Sequence, residues 1–153
     1  MIRTKDLQIG DLLRVNRDGL CIKKGTIVEV RAVDADDKLL EKGLIGSAHC
    51  RPLDDNQFEG GIWCEYLEPI PLTPDMLLDN GFELQDLGGE RISVWTGFGE
   101  DSCDEDIEVE FEGIKPIWLK IDGPFYLTTP NIEYLHQLQH FLRDCETGKE
   151  IVL

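Results

Sequence analysis

The chain of 153 residues is 41% hydrophobic and 8% aromatic, which is enough apolar material for a packed core and excludes global disorder. Its 31 acidic residues oppose 15 basic ones, and the net charge of −16 argues against direct binding to nucleic-acid backbones. No apolar stretch is long enough to span a bilayer, so no membrane association is expected. This length favours one domain or two very small ones.

The cysteines and the N-terminus indicate a reducing compartment. The 5 cysteines are widely spaced and form no C-x-x-C pair, so the sequence predicts neither a zinc knuckle nor a redox dithiol. The opening "MIRTKDLQIGDLL" has no apolar segment of the kind found in signal peptides. Reduced thiols and a cytoplasmic location are therefore expected.

Residues 1–69 have the pattern of short β-strands separated by polar turns. "DLLRV" and "GTIVEVRAV" predict two strands followed by a polar turn at 34–38, and "GLIGSAHCRP" and "GGIWCEYLEP" predict two more. Several short strands in such a length are typical of a small barrel. The opening pair is similar to the first two strands of an SH3-like barrel, which is the fold predicted for residues 1–69.

The proline-rich "EPIPLTP" predicts a domain boundary that leads directly into a short helix. Thr73 is a suitable N-cap, and Pro74 suits the first helical position. Gly81 is suited to end the helix in a left-handed turn, after which Phe82 folds back on Leu77. Residues 70–153 thus begin a second, α+β domain.

Three stretches then predict a three-stranded antiparallel meander. They are "ERISVWTGF", the first strand, and "DIEVEFEG" and "PIWLKIDG", which have apolar residues at every second position. A sheet with one polar face is covered on the other face only, and the C-terminal helix is the expected cover. "EIVL" after Gly148 is expected to return as an added strand. The predicted fold class of the whole chain is α+β.

Both tryptophans of the meander lie out of phase with the apolar positions. Alternation places Trp95 and Trp118 on the outer face of the sheet, beside the glutamates of the middle strand. Either the barrel domain covers them, or they form an exposed aromatic patch that binds a partner or a second copy of the chain. The predicted partner-binding residues are Trp95, Trp118, Glu108, Glu110 and Lys120.

The stretches "EPIPLTPDMLLDNGFE" and "YLHQLQHFLRDCETGKEIVL", together with the opening "IRTKDLQIGDLLRV", resemble a family of small uncharacterised proteins of Bacteroidetes genomes and their phages. The segment 84–125 matches that family only in its strand-like character. The resemblance implies a shared fold and a phage or mobile-element context. It implies no activity, ligand or catalytic residue.

The C-terminal helix carries the three candidate metal ligands of the sequence, Glu133, His136 and His140. Their spacing can hold a metal on one helix face. On a helical wheel, however, they lie opposite the apolar stripe of Leu135, Leu138 and Leu142, so a solvated polar face is expected. No metal or other cofactor is predicted.

Catalytic motifs are absent from the sequence. It contains no G-x-S-x-G elbow, no phosphate-binding G-x-x-x-x-G-K-[ST] loop and no G-x-G-x-x-G. We therefore expect a non-enzymatic protein-binding or adaptor protein, whose partner is another protein or a second copy. The alternative is an acidic decoy that mimics nucleic acid and occupies a nucleic-acid-binding protein.

Overall fold

The structure, a computed structural model, describes residues 2–19, 22–34, 46–54, 59–95, 106–122, 127–130, 132–145 and 150–153, with the backbone alone at 34, 95, 106, 121, 122 and 127–130. The chain divides into two compact units, Met1–Ile70 and Pro71–Leu153. It is an α+β protein, in which the described strands pair antiparallel in two sheets. No helix in the described part of the chain is long and apolar enough to cross a membrane.

The first unit is built on a five-stranded sheet in the order β4-β3-β2-β1-β5. The strands are β1 (Leu12–Val15), β2 (Ile27–Asp34), β3 (Ser47–Pro52), β4 (Gly60–Trp63) and β5 (Leu67–Pro69), with 3₁₀ helices at Thr4–Asp6 and Cys64–Tyr66. β4 and β5 are at opposite ends of this order, and no pairing among the described residues joins them. Among the described residues, these pairings join the five strands in one antiparallel sheet without closing it into a barrel. The predicted turn at 34–38 lies outside the described residues except for Asp34, the last residue of β2.

The core of the first unit collects the residues that alternate inward from its strands. Leu13 and Val15 of β1 are fully buried, whereas Arg14 between them is half-exposed. The core cluster comprises Ile2, Leu7, Leu13, Val15, Val28, Val30, Ala48, Cys50, Ile62, Cys64 and Leu67. Burial of these side chains is the main contribution to the stability of this unit.

The second unit contains a five-stranded meander in the order β10-β9-β8-β7-β6. Its strands are β6 (Glu83–Gly88), β7 (Arg91–Trp95), β8 (Asp106–Glu112), β9 (Lys115–Asp122) and β10 (Leu127–Pro130). The predicted number of three strands was wrong because "ELQDLG" has no β-branched residue and no alternation, and "LTTP" is only four residues long and ends in proline. Each is a strand through its pairing with a neighbour, β6 with β7 and β10 with β9.

Helix α1 (Pro74–Asp79) begins and ends as the sequence predicted. The Thr73 hydroxyl accepts a hydrogen bond from the Met76 amide at 3.4 Å. Gly81 has a φ of 81°, and the Phe82 amide donates to the Leu77 carbonyl at 3.1 Å. Phe82 is buried beside the helix end, so the start and the stop of α1 both follow from local chemistry.

Helix α2 (Leu135–Asp144) buries Leu135, Leu138 and Leu142, the apolar stripe that the sequence predicted. At its start, the Gln137 side-chain oxygen accepts hydrogen bonds from the amides of Glu133 and Tyr134 at 2.9 and 3.1 Å. These two bonds satisfy amide groups that precede the first helical turn.

The predicted final strand of "EIVL" does not form, since residues 150–153 have no strand pairing. Instead, the Asn80 side chain forms two hydrogen bonds with the backbone of Val152, as a neighbouring strand would do. Its amide group donates to the Val152 carbonyl at 2.8 Å, and its oxygen accepts from the Val152 amide at 2.7 Å. This pair of bonds fixes the C-terminal segment to the end of α1, with Ile151 buried.

Replacement of Gly46 by alanine is expected to destabilise the first unit by about 1–3 kcal/mol, the usual cost of overpacking. A Cβ at this position would press on the Thr4 methyl group and lie 2.8 Å from its hydroxyl oxygen, and Thr4 is only 2% exposed. Urea unfolding of Gly46→Ala beside Gly61→Ala measures the effect, because a Cβ at Gly61 meets no atom within 4 Å. Equal midpoints for the two variants would contradict the close approach of Gly46 to Thr4.

The buried thiol of Cys50 is expected to make stability fall at alkaline pH. Burial, with the nearby Cys64 thiol adding to the effect, raises the pKa of Cys50 from 9.0 to about 12. The folded chain therefore keeps this thiol protonated, and its contribution, on the order of 4 kcal/mol, is complete below pH 9.0 and is lost as the pH rises towards 12. Urea unfolding at about pH 7 and about pH 10.5 should show a larger loss for the wild type than for Cys50→Ala. Identical losses would show that Cys50 ionises as readily in the folded chain as in the unfolded one.

Candidate functional site

Alternate residues of β7, β8 and β9 form two adjacent rows on the second sheet. In one row Ser93 pairs with Glu110 and Glu110 with Trp118; in the other, Glu108 pairs with Trp95 and with Lys120. We call this surface the outer face and define it by Ser93, Trp95, Glu108, Glu110, Trp118 and Lys120. The register thus brings the backbones of all the predicted partner-binding residues together on neighbouring positions.

The charged groups of the outer face are paired with one another. The Ser93 hydroxyl donates a hydrogen bond to the Glu108 carboxylate at 2.5 Å, and the Lys120 ammonium lies 3.9 Å from the other oxygen of that carboxylate. Arg91, at the start of β7, forms an ion pair with Glu110. Each carboxylate of these two rows therefore has a cationic neighbour, and the face is a mixed-charge surface.

Burial on the outer face is greater than strict alternation suggested. Ser93 is fully buried and Glu110 is 3% exposed, whereas Trp118 and Lys120 are half-buried. The side chain of Trp95 lies outside the described part of the structure. A carboxylate as buried as Glu110 is costly unless it is paired, which makes the ion pair with Arg91 necessary to this surface.

A β-bulge corrects the predicted alternation of β9. The register shifts between Glu110 and Phe111, so that Phe111 faces Pro116 while Glu110 faces Trp118. Ile117 is the extra residue; it is half-buried, whereas Pro116 is buried. The bulge keeps Trp118 on the outer face, in phase with Lys120, as the sequence predicted.

Apolar side chains are exposed at one end of this sheet. Leu87 of β6 is 45% exposed, and Ile114, in the turn between β8 and β9, is 83% exposed. The β6–β7 and β8–β9 turns lie at the same end, where the Gly113 amide donates to the Glu90 carbonyl at 2.7 Å. We call Leu87 and Ile114 the apolar end. Sequence analysis missed both, because neither belongs to an alternating apolar pattern: Leu87 lies in a strand without alternation, and Ile114 lies in a turn.

The first unit has an exposed aromatic residue that the sequence analysis also missed. Trp63 is 50% exposed on β4, where it pairs with Ser47. Its neighbours Gly61 and His49 are exposed as well. Strand alternation could have revealed it: Trp63 directly follows the buried Ile62, and adjacent residues of a strand face opposite sides of the sheet.

The candidate metal ligands of the C-terminal helix are not arranged on a common wet face. His136 is only 6% exposed, so its predicted solvated position was wrong. Its ring stacks on Tyr134 with centroids 5.9 Å apart, and His140 lies edge-on at 5.7 Å. Pro71 forms a β-bridge with Tyr134, so an extended segment passes the helix start, which a helical wheel does not take into account. Glu133 is exposed, and the described residues contain no group of three or more side chains suited to hold a metal ion.

Comparisons of the chain with protein-family models, with curated proteins and with solved structures found no match. The outer face and the apolar end combine paired charges, a half-buried indole and exposed apolar side chains, which together suit recognition by contact.

His136→Ala is expected to lower stability by more than about 1 kcal/mol, and His140→Ala by less. The reason is that His136 is buried against Tyr134, whereas His140 is half-buried. Urea unfolding of the two variants and the wild type in one buffer gives the comparison. Equal costs would contradict the burial of His136.

Proposed function

We propose that this chain is a non-enzymatic protein-binding protein that recognises its partner through the outer face and the apolar end of the second sheet. The observation that carries the proposal is the exposure of Leu87 and Ile114 at one end of the sheet whose outer face contains Trp118. Exposed apolar side chains near an aromatic residue and a polar surround are the usual composition of a protein interface.

The paired charges of the outer face support this role. Because Glu108 and Glu110 are already held by Lys120, Ser93 and Arg91, their positions are set before a partner arrives. A surface ordered in advance loses less conformational entropy on binding. The aromatic residues Trp118 and Trp95 would supply the anchoring contacts at its centre.

The acidic decoy is the less favoured alternative. A decoy needs exposed carboxylates in a row with the spacing of phosphates. On β8, Glu110 is 3% exposed and paired with Arg91, and Glu108 lies beside Lys120. Pairing of this kind favours recognition of a protein surface over imitation of a nucleic acid.

We also propose that the first unit is an SH3-like barrel. Support comes from the strand order, in which β1 pairs with both β2 and β5, and from the 3₁₀ helix that separates β4 from β5. Membership of the Bacteroidetes and phage family, and a cytoplasmic location, are likewise proposals; they rest on the quoted stretches and on cysteine usage.

Partner capture tests the proposed function. Ile114→Ser and the double variant Trp95→Ala/Trp118→Ala should each lose most of the partner that the wild-type chain retains from native lysate, because interface anchors contribute more than about 1 kcal/mol each. Mass spectrometry of the retained proteins gives the measurement. The matched control is Ile9→Ser, since Ile9 is 63% exposed in the first unit.

Folding has to be checked beside capture. Ile114 is 83% exposed, so Ile114→Ser should change stability by less than about 0.5 kcal/mol. Trp118 is half-buried, so the double variant Trp95→Ala/Trp118→Ala is expected to be less stable. Its capture is therefore measured at a temperature at which thermal unfolding shows it to be folded. Capture that is equally strong for Ile114→Ser, the double variant and Ile9→Ser would disprove binding through this surface.

A further inference from the structure

Strand β6 is an edge strand whose side chains are all exposed. Its 6 residues, Glu83–Gly88, are exposed without exception, although they form a regular strand. Within the described part of the chain, β6 pairs with β7 alone. Alternate residues of an antiparallel edge strand direct their N–H and C=O groups away from the sheet, where another strand is able to pair with them.

Two of these side chains are large and apolar. Leu84 is 54% exposed and Leu87 45% exposed. Leu84 pairs with Val94, which is fully buried, so Leu84 continues an apolar row of the sheet out to its open edge. An added strand that placed an apolar side chain beside Leu84 would cover it.

The charges of this edge have one sign. Glu83, Asp86 and Glu90 are all exposed, and no basic residue occurs between Phe82 and Glu90. A second copy that paired β6 with β6 would bring these carboxylates together, and like charges across strands are destabilising. The same carboxylates attract a strand that carries basic residues.

We propose that β6 binds an extended basic segment of a partner protein by strand addition, with apolar residues of that segment beside Leu84 and lysine or arginine beside Glu83. Pairing runs along Glu83–Asp86, since the bulge between Asp86 and Gly88 ends the regular part of the strand. Glu83 lies in register with Trp95, so its basic partner side chain faces the outer face, whereas Leu84 points to the opposite face. This inference rests on the proposed function and names the class of partner.

The test uses the full chain labelled with nitrogen-15 and three capped six-residue peptides. The first alternates lysine and valine, the second alternates glutamate and valine, and the third is the lysine–valine peptide with all of its backbone amides N-methylated, which removes the donors from both of its edges. The lysine–valine peptide is expected to shift the amide signals of residues 83–88 in a saturable way. The glutamate–valine peptide should bind at least about tenfold more weakly because of like-charge repulsion.

The N-methylated peptide separates strand addition from simple charge attraction. It keeps the charge but lacks the donors, so it should also bind at least about tenfold more weakly if β6 accepts a strand. Equal binding of the methylated and unmethylated peptides would overturn the proposal. Shifts spread over the whole acidic surface and not confined to β6 would overturn it as well.

Variants give an independent result with the same peptide. Leu84→Ser should weaken binding of the lysine–valine peptide at least about fivefold, whereas the control Ile9→Ser should not change it. If partner capture depends on Ile114 while no peptide binds at β6, strand addition is wrong and the proposed function stands. If the peptide binds at β6 while capture is indifferent to the outer-face variants, strand addition stands and the proposed route of recognition is wrong.

Discussion

Strand β8 has to place Ile107, Val109 and Phe111 in the core while its glutamates lie on the opposite face, and this alternation constrains the whole second unit. A shift of one residue in its register would bury the glutamates and expose the apolar side chains. The register with β7 and β9 therefore cannot drift. It sets Ser93 and Trp118 on either side of Glu110, and thereby creates the rows of the outer face.

The buried carboxylate of Glu110 lies in the middle of one of those rows. The register places Glu110 between Ser93 and Trp118, and only 3% of it is exposed. Arg91 supplies the compensating charge, and Lys120 and Ser93 do the same for Glu108. The surface on which we place recognition is thus a consequence of core packing on the other side of the same strands.

The net charge of −16 acts differently on the two parts of this sheet. On the outer face, acids and bases are paired, so the charge is balanced locally. Along β6 the acids have no basic neighbours in the local sequence, which disfavours self-pairing of an exposed edge. The acidic composition therefore gives paired charges where basic residues lie on adjacent strands, and a negatively charged edge where they do not.

Local signals predicted much of the fold. Thr73, Pro74 and Gly81 mark the limits of α1, and the stripe of Leu135, Leu138 and Leu142 identifies the buried side of α2, because capping and helical periodicity depend only on nearby residues. The alternation of β8 likewise predicted which of its side chains are buried, except for Glu110.

Tertiary structure decided the remaining features. β6 and β10 became strands, Ile117 became a bulge residue, and Asn80 replaced a final strand as the partner of Val152. His136 and Glu110 are buried although their own periodicity places them on polar faces. The amino-acid sequence by itself determined the two helices and the inward-facing residues of β8, because those depend on local interactions. The edge strands, the bulge at Ile117 and the buried carboxylate of Glu110 depend on which segments become neighbours, and only the tertiary structure decides that.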